Sequence, residues 1–225
     1  MCDFLDDKQA REAIIDIGRR MYEAGFVAAN DGNISVKVSD NEIWATPTGI
    51  SKGFMKKKDL VKLDLEGRVI EGIRKPSSEI KMHLRAYKEN DFIKSVVHAH
   101  PLMSTAFGIM GIELNKPILA EAVLGLGNVP IIPYATLGSE DIPDEIAPFC
   151  HSHNGVILAN HGVVAWADEP LAAYYKIESI EYYAKMTYIC RQLGGSANEL
   201  PKDEIMKLIG MRDKFGIRLG GMPDM

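Results

Sequence analysis

The chain has no apolar run approaching the ~20 residues that a helix needs to cross a bilayer, so no membrane partner is expected. Cysteine is scarce. Cys2, Cys150 and Cys190 are scattered without Cys-x-x-Cys spacing, a pattern that suits a reducing cytoplasm better than a secreted, disulfide-framed scaffold. The opening residues Met1 to Asp7 are acidic where a secretory signal would be basic, which again points to the cytoplasm. Excess positive charge is missing too: the net charge is −5 at pH 7, and no basic block offers a nucleic-acid surface. The one cationic cluster, Lys56-Lys57-Lys58 preceded by Lys52, reads as a solvated loop, with a minor role in drawing in an anion as the other reading. Phosphate-binding glycine loops of the Walker and Gly-x-Gly-x-x-Gly kinds are absent, since Gly125-Leu126-Gly127 is too short to count. Internal repeats, low-complexity stretches and linkers are lacking as well, so residues 1–225 are expected to form a single domain.

What is present is an ordinary globular composition, 46% hydrophobic and 25% charged, arranged in short periodic segments. Ala13, Ile14, Ile17 and Met21 recur at helical spacing over 7–25, with Gly25 as a stop. Alternating residues at 34–38 and 42–46 form one predicted hairpin, and 60–65 with 68–70 form a second. Helices are predicted from the Pro76-Ser77-Ser78-Glu79 opening to Lys88, and from Pro101 to Met110. A Gly-rich loop around Gly125 precedes a strand over 129–133. A helix over 139–149 follows, then strands at 155–159 and 163–166, a long helix over 170–193 and a shorter one over 201–214. Hairpins framed by helices, without a regular βαβ repeat, predict an α/β fold with a mixed sheet covered by helices.

Candidate chemistry concentrates at a few turns. Ser95-Val96-Val97-His98-Ala99-His100-Pro101 is an apolar run ending in two histidines one residue apart. On a strand, residues i and i+2 share a face, so His98 and His100 project side by side and suit one metal ion. His161, in the bend Asn160-His161-Gly162 between two apolar strands, reads equally as a third ligand or as a buried imidazole bonded to backbone. Three histidines with an open fourth position would be a catalytic rather than a structural zinc arrangement. Ser77, Ser78 and Glu79 at a helix start offer an anion cradle, or simply a capped helix with an acid in its first turn. Gly32-Asn33 and Thr48-Gly49 are further polar turns of the kind that form N–H nests for anions. His83, one turn beyond Glu79, reads as a packed histidine, and His151-x-His153 as a favourable helix end.

Gly32-Asn33, Thr48-Gly49, Pro76-Ser77-Ser78-Glu79, His98-Ala99-His100-Pro101 and Ala159-Asn160-His161-Gly162 occur in this order, and Pro133-Tyr134-Ala135-Thr136-Leu137-Gly138 accompanies them. Together they resemble the class II aldolase/adducin family, and within it the fuculose-phosphate aldolase branch, over nearly the whole chain. The resemblance implies a three-layer α/β/α fold with a mixed, mostly antiparallel sheet. It implies a homotetramer with active sites at subunit interfaces. Zinc would lie on His98, His100 and His161, with Mn or Co as other ions that three imidazoles accept. Glu79 would be both a displaceable ligand and the acid/base, and Gly32, Asn33, Thr48, Gly49, Ser77 and Ser78 would hold a substrate phosphate. The implied reaction is aldol cleavage of a ketose 1-phosphate to dihydroxyacetone phosphate and a short aldehyde. A 4-epimerase, dehydratase or decarboxylase of a sugar phosphate, and a non-catalytic adducin-like module, are the other readings. Two family tyrosines that handle the aldehyde have no counterpart. The first region reads Leu119-Ala120-Glu121-Ala122, and no tyrosine follows Tyr188. Glu121 is the candidate to replace part of that function.

Overall fold

Asp6 and Gln9 start the first helix by a reciprocal capping box. Gln9 N–H donates to the Asp6 carboxylate at 2.7 Å, and the Asp6 amide donates to the Gln9 side chain at 3.1 Å. The helix, α1 (Asp7–Glu23), buries Ala10, Ile14, Ile17 and Met21 and stops at Gly25, whose φ is 68°. Burial of each large apolar side chain contributes roughly 1.5–3 kcal/mol. The structure, a computed structural model, describes residues 4–136, 138–139, 141–194 and 196–225; of the residues named above, Met1, Cys2 and Leu137 lie outside them.

Two hairpins follow: β1 (Asn33–Lys37) with β2 (Glu42–Ala45), and β3 (Val61–Asp64) with β4 (Val69–Glu71). Next come α2 (Ile80–Glu89), β5 (Ser95–Ala99), α3 (Leu102–Met110), α4 (Ala120–Gly125), β6 (Ile131–Ile132), α5 (Asp141–Ile146), β7 (Gly155–Leu158), β8 (Gly162–Ala167), α6 (Pro170–Leu193) and α7 (Lys202–Gly210). The eight strands form one sheet in the order β4-β3-β2-β1-β5-β8-β7-β6. Every pairing is antiparallel except β6 with β7, so the sheet is mixed and mostly antiparallel, as expected.

Strand alternation divides the core into two layers. Ile34 and Val36 of β1, Val97 and Ala99 of β5, and Val163 and Ala165 of β8 pack on the α1 and α6 side. Val96, Val164 and Trp166 point the other way, with Ile43, Leu63 and the inner faces of α2 and α5. Asn33, Ser35 and His98 share this second face near the sheet's centre, where β1 and β5 pair and Asn33 lies opposite His98. The site is thus built on the two middle strands.

Four boundaries differ from the periodicity reading. Residues 120–125, left there as part of a Gly-rich connection, form α4. Arg212 donates to Val123 O and Leu124 O at 2.9 and 3.0 Å while also holding Gly220 O and Gly221 O, so the C-terminal segment caps this helix from outside. The strand over 129–133 shrinks to Ile131–Ile132 because Pro130 and Pro133 lack the N–H a ladder needs. The helix over 139–149 reduces to α5 and a 3-10 turn, Ala147–Phe149, since Pro148 can donate no i→i−4 bond. The last helix ends at Gly210, four residues early. Among the described residues no helix is long and apolar enough to cross a membrane, and Cys150 and Cys190 are free.

Candidate active site

His98 is the innermost member of the site. It is wholly buried on β5, and its Nδ1 donates to Val163 O on β8 at 2.9 Å, which fixes Nε2 as the unprotonated nitrogen. His98 Nε2 faces His100 Nε2 at 3.0 Å. His161 joins from the β7–β8 turn, where Asn160 takes the left-handed conformation (φ 57°) that asparagine tolerates. The three ring centroids lie 4.6–5.1 Å apart. One ligand nitrogen from each ring falls within 4.8 Å of the others.

Glu79 occupies the N-cap position of α2, yet its carboxylate makes no capping bond to that helix. It turns to the rings instead: Oε1 lies 3.0 Å from His161 Nε2 and Oε2 lies 3.5 Å from His98 Nε2. Asn33 Nδ2 donates to Oε2 at 2.7 Å. Of the two sequence readings of Glu79, the ordinary helix cap is therefore the one the geometry disfavours.

Charge follows from these surroundings. Burial holds the His98 ring neutral, with its pKa pushed down to about 3, and burial also lowers His100. Burial works against the Glu79 carboxylate, but the His98 and His161 rings and the Asn33 amide outweigh it and hold the carboxyl below its ordinary range. Glu79 Oε1 and His161 Nδ1 are buried without a hydrogen-bond partner. Three imidazoles crowded around an ionised carboxylate, with buried atoms left unpaired, fit a divalent cation by donor type. Asp31 Oδ2 lies 3.6 Å from His100 Nδ1, while the other ring nitrogen, Nε2, faces His98.

A cavity of about 310 Å³ opens beside these groups, lined by Asn30, Asp31, Gly32, Asn33, Pro47, Thr48, Lys52, Ser77, Ser78, Glu79, His100 and His161. Most of the residues expected at a phosphate are therefore in one wall. Gly49 (φ 76°) shapes the adjacent turn. The Thr48 and Ser77 amides are already spent on Lys75 O and Thr46 O, so those two residues offer a ligand their hydroxyls and not an N–H nest.

Lys52 corrects the solvated-loop reading. It is 2% exposed, and its ammonium donates to Asn30 O at 2.7 Å and Ile50 O at 2.8 Å, tying together the two turns that flank the cavity. Burial lowers its pKa to about 8. The sequence signal was available: Gly53-Phe54-Met55 separates Lys52 from the exposed lysine run, and Gly18 on α1 lets the Lys52 backbone approach where a Cβ would sit 2.6 Å from its carbonyl. Lys52→Met is expected to lower stability by about 2 kcal/mol in urea denaturation, the cost of two buried carbonyls less the relieved lysine burial. An unchanged midpoint would mean the clamp contributes nothing.

Glu121 is not brought to these groups within the chain. It lines a separate cavity of about 620 Å³ with Phe26, Leu119, Glu178, Tyr182 and Lys185. His151 and His153 do not form a site either. His153 bonds Asn128 and Ser152, and His151 stands near Glu89 on the surface.

The family model for the class II aldolase and adducin N-terminal domain matches residues 12–188, more than half of the chain. The chain belongs to the class II aldolase/adducin family. It is 35% identical over 179 residues to an L-fuculose phosphate aldolase of Methanococcus maripaludis, covering 80% of this chain and 96% of that one. It is 33% identical over 211 residues to a 5-deoxy-D-ribulose 1-phosphate aldolase of Bacillus thuringiensis, at 93% and 98% coverage. A 3-oxo-tetronate 4-phosphate decarboxylase of Haemophilus influenzae is 34% identical over 188 residues, at 82% and 89%. A solved L-fuculose 1-phosphate aldolase superposes with a TM-score of 0.85 at 28% identity, over 96% of this chain and all of that one. This class II aldolase has the family's α/β fold, and it is an enzyme of the lyase kind. A non-catalytic adducin-like reading does not hold beside such relatives and a site with three imidazoles and a carboxylate.

Proposed function

We propose that the chain is a zinc-dependent aldolase acting on a ketose 1-phosphate, of the fuculose-phosphate or 5-deoxypentulose-phosphate type, and releasing dihydroxyacetone phosphate and a short aldehyde. The observation that carries this reading is that Glu79, His100 and His161 line one cavity together with Thr48, Ser77 and Ser78, with His98 Nε2 3.5 Å from Glu79 Oε2.

In this reading His98, His100, His161 and Glu79 hold the ion, with Mn or Co as substitutes. When bound, the ion supplies Lewis-acid stabilisation of the negative charge that develops on the substrate's oxygens as the carbon–carbon bond breaks. The other steps belong to the chain. Gly32, Asn33, Thr48, Gly49, Ser77 and Ser78 hold the phosphate, so binding energy remote from the bond orients it. The ionised Glu79 takes the proton of the hydroxyl that becomes the aldehyde carbonyl, the bonding electrons stay with the phosphate-bearing fragment, and Glu79 hands the proton to that fragment's carbon. In the condensation direction the same carboxylate removes that proton. A homotetramer would bring Glu121 of a neighbouring copy towards the aldehyde half. The scattered free cysteines suit a cytoplasmic setting.

A second reading, decarboxylation of a 3-oxo sugar-acid phosphate, is favoured by the decarboxylase relative, whose identity to this chain matches that of the aldolases. It is also favoured by the missing aldehyde-side tyrosines. Both reactions leave electrons on a carbon beside a carbonyl, so one metal and one acid/base serve either. A 4-epimerase would use the same cleavage and a dehydratase a related one, but the epimerases follow their serine pair with Asp where this chain has Glu79.

The deciding experiment incubates zinc-loaded protein with L-fuculose, L-rhamnulose, 5-deoxyribulose and methylthioribulose 1-phosphates and with 3-oxo-tetronate 4-phosphate. Dihydroxyacetone phosphate is expected from at least one ketose phosphate and to vanish with chelator. Carbon dioxide from the last substrate alone would replace the aldolase reading with the decarboxylase one.

A further inference from the structure

Glu79, His83 and Tyr87 are spaced four apart at the start of and along α2, and Asn33 and Ser35 are spaced two apart on β1. Four residues of helix advance about 6.0 Å and two residues of strand about 6.8 Å, so a helix face and a strand face with these spacings stay in step. The side chains alternate across the gap. Tyr87 Oη lies 2.7 Å from Ser35 Oγ, and Ser35 Oγ lies 2.7 Å from His83 Nδ1. His83 Nε2 lies 2.5 Å from Asn33 Oδ1, and Asn33 Nδ2 lies 2.7 Å from Glu79 Oε2. Tyr87, Ser35, His83 and Asn33 are each at most 3% exposed.

The direction of every bond in this chain is forced from one end. An ionised Glu79 only accepts, so Asn33 turns its NH₂ to the carboxylate and its carbonyl to His83. That carbonyl also only accepts, so His83 carries its proton on Nε2. Burial keeps His83 neutral, with its pKa lowered to about 4, so Nδ1 is bare and takes the Ser35 hydroxyl proton. Ser35 must then accept from Tyr87. The far end is a buried tyrosine with no route to solvent, so the row cannot deliver protons to Glu79. It can only hold groups in place.

We propose that this five-residue zipper is a positioning device, in which His83 locks the Asn33 amide so that Glu79 Oε2 is held and Oε1 is left free for the metal and the proton. Flipping the amide would set its carbonyl against the carboxylate and its NH₂ against the His83 proton, breaking both bonds at once. His83 touches neither the rings nor the cavity, so it acts through Asn33. The consequence for turnover rests on the aldolase reading of Glu79; the tautomer of His83 does not.

Two measurements test the zipper. Two-bond proton–nitrogen NMR spectra of protein labelled with ¹⁵N-histidine, with His83 assigned by its loss in His83→Gln, are expected to show a neutral Nε2–H ring at pH 7.5. An Nδ1–H tautomer or an imidazolium overturns the proposal. In kinetics, His83→Leu is expected to lower kcat ~10- to 100-fold with KM within about threefold and bound metal unchanged. His83→Gln, which can accept from Ser35 and donate to Asn33, is expected to recover most of that loss. Wild-type kcat in His83→Leu, loss of its metal, or a Gln variant no better than Leu would each overturn the proposal. Should the Leu variant not fold, the wild-type tautomer and the Gln variant still decide. Absence of turnover on every substrate would overturn the aldol reading alone, leaving the tautomer, read on resting protein, to judge the zipper.

Discussion

Glu79→Gln is expected to reduce kcat by at least ~10³-fold while KM for the phosphorylated substrate stays nearly constant, because a positioned acid/base contributes ~10²–10⁴. The glutamine keeps the volume and one carbonyl oxygen for the Asn33 amide, so the fold and the phosphate wall are undisturbed. It cannot carry a proton between the two carbon fragments. Asp31 is the other carboxylate on the cavity wall, but it stands 3.6 Å from His100 Nδ1, while it is the ring's other nitrogen, Nε2, that faces His98, and it is poorly placed to substitute. Glu79→Asp separates position from chemistry. It retains the carboxylate but draws it back by about one methylene, and a displacement of ~1 Å is enough to cost ~10²-fold. Steady-state kinetics on the substrate identified by the panel, with metal content measured on the same preparations, checks both variants. A Gln variant within tenfold of wild type and fully metal-loaded would remove Glu79 from the proton transfer.

Local pattern carried most of the fold because the elements around the site are themselves locally determined. The β1–β2 hairpin follows from alternation interrupted by Asp40-Asn41, α1 from its capping pair, and α6 from Pro170 at its first turn with apolar periodicity to Leu193. Where the reading lost accuracy, the cause was a partner distant in sequence. Ala120–Gly125 is helical with its carbonyls held by Arg212, nearly ninety residues away, and nothing in the segment announces that. The site divides in the same way. The paired rings of His98 and His100 follow from strand geometry, and His161 from a turn whose Asn and Gly are chosen for backbone reasons. Lys52 was misread because its charge suggested water, whereas two main-chain carbonyls from separate turns surround it. His83 was read correctly as packed, but its packing partners, Ser35 and Asn33, sit some fifty residues upstream and became visible only once α2 lay against β1.

Gly162→Ala is expected to weaken metal binding at least ~100-fold although the residue carries no ligand atom, since displacing a ligand's support by ~1 Å is enough to lose its geometry. A Cβ at this position would lie 2.5 Å from Ala99 O and 2.5 Å from His100 Cδ2, and 3.2 Å from His98 Cε1. The first of these is backbone in the β5–β8 pairing, where Ala99 stands opposite Val163. Relief therefore requires either that the start of β8 leave β5 or that the His100 ring rotate away. The first moves the Val163 carbonyl that fixes the His98 tautomer, and the second moves His100 itself. Both separate the imidazoles that converge on one ion in the proposed site. Gly155→Ala is the matched control. Its Cβ would meet Val164 O at 2.9 Å and Ala165 Cβ at 3.1 Å, in the neighbouring β7–β8 pair and at the end away from the β7–β8 turn. Both variants are expected to lose about 1–3 kcal/mol of stability from overpacking. Only Gly162→Ala is expected to release zinc to a competing chelator. Equal retention by the two variants would show that the imidazoles tolerate the shift and that the close approach at Gly162 serves the strands alone. Loss of zinc confined to Gly162→Ala would mean that the metal's geometry is set by how closely β8 can pass the His98–His100 pair.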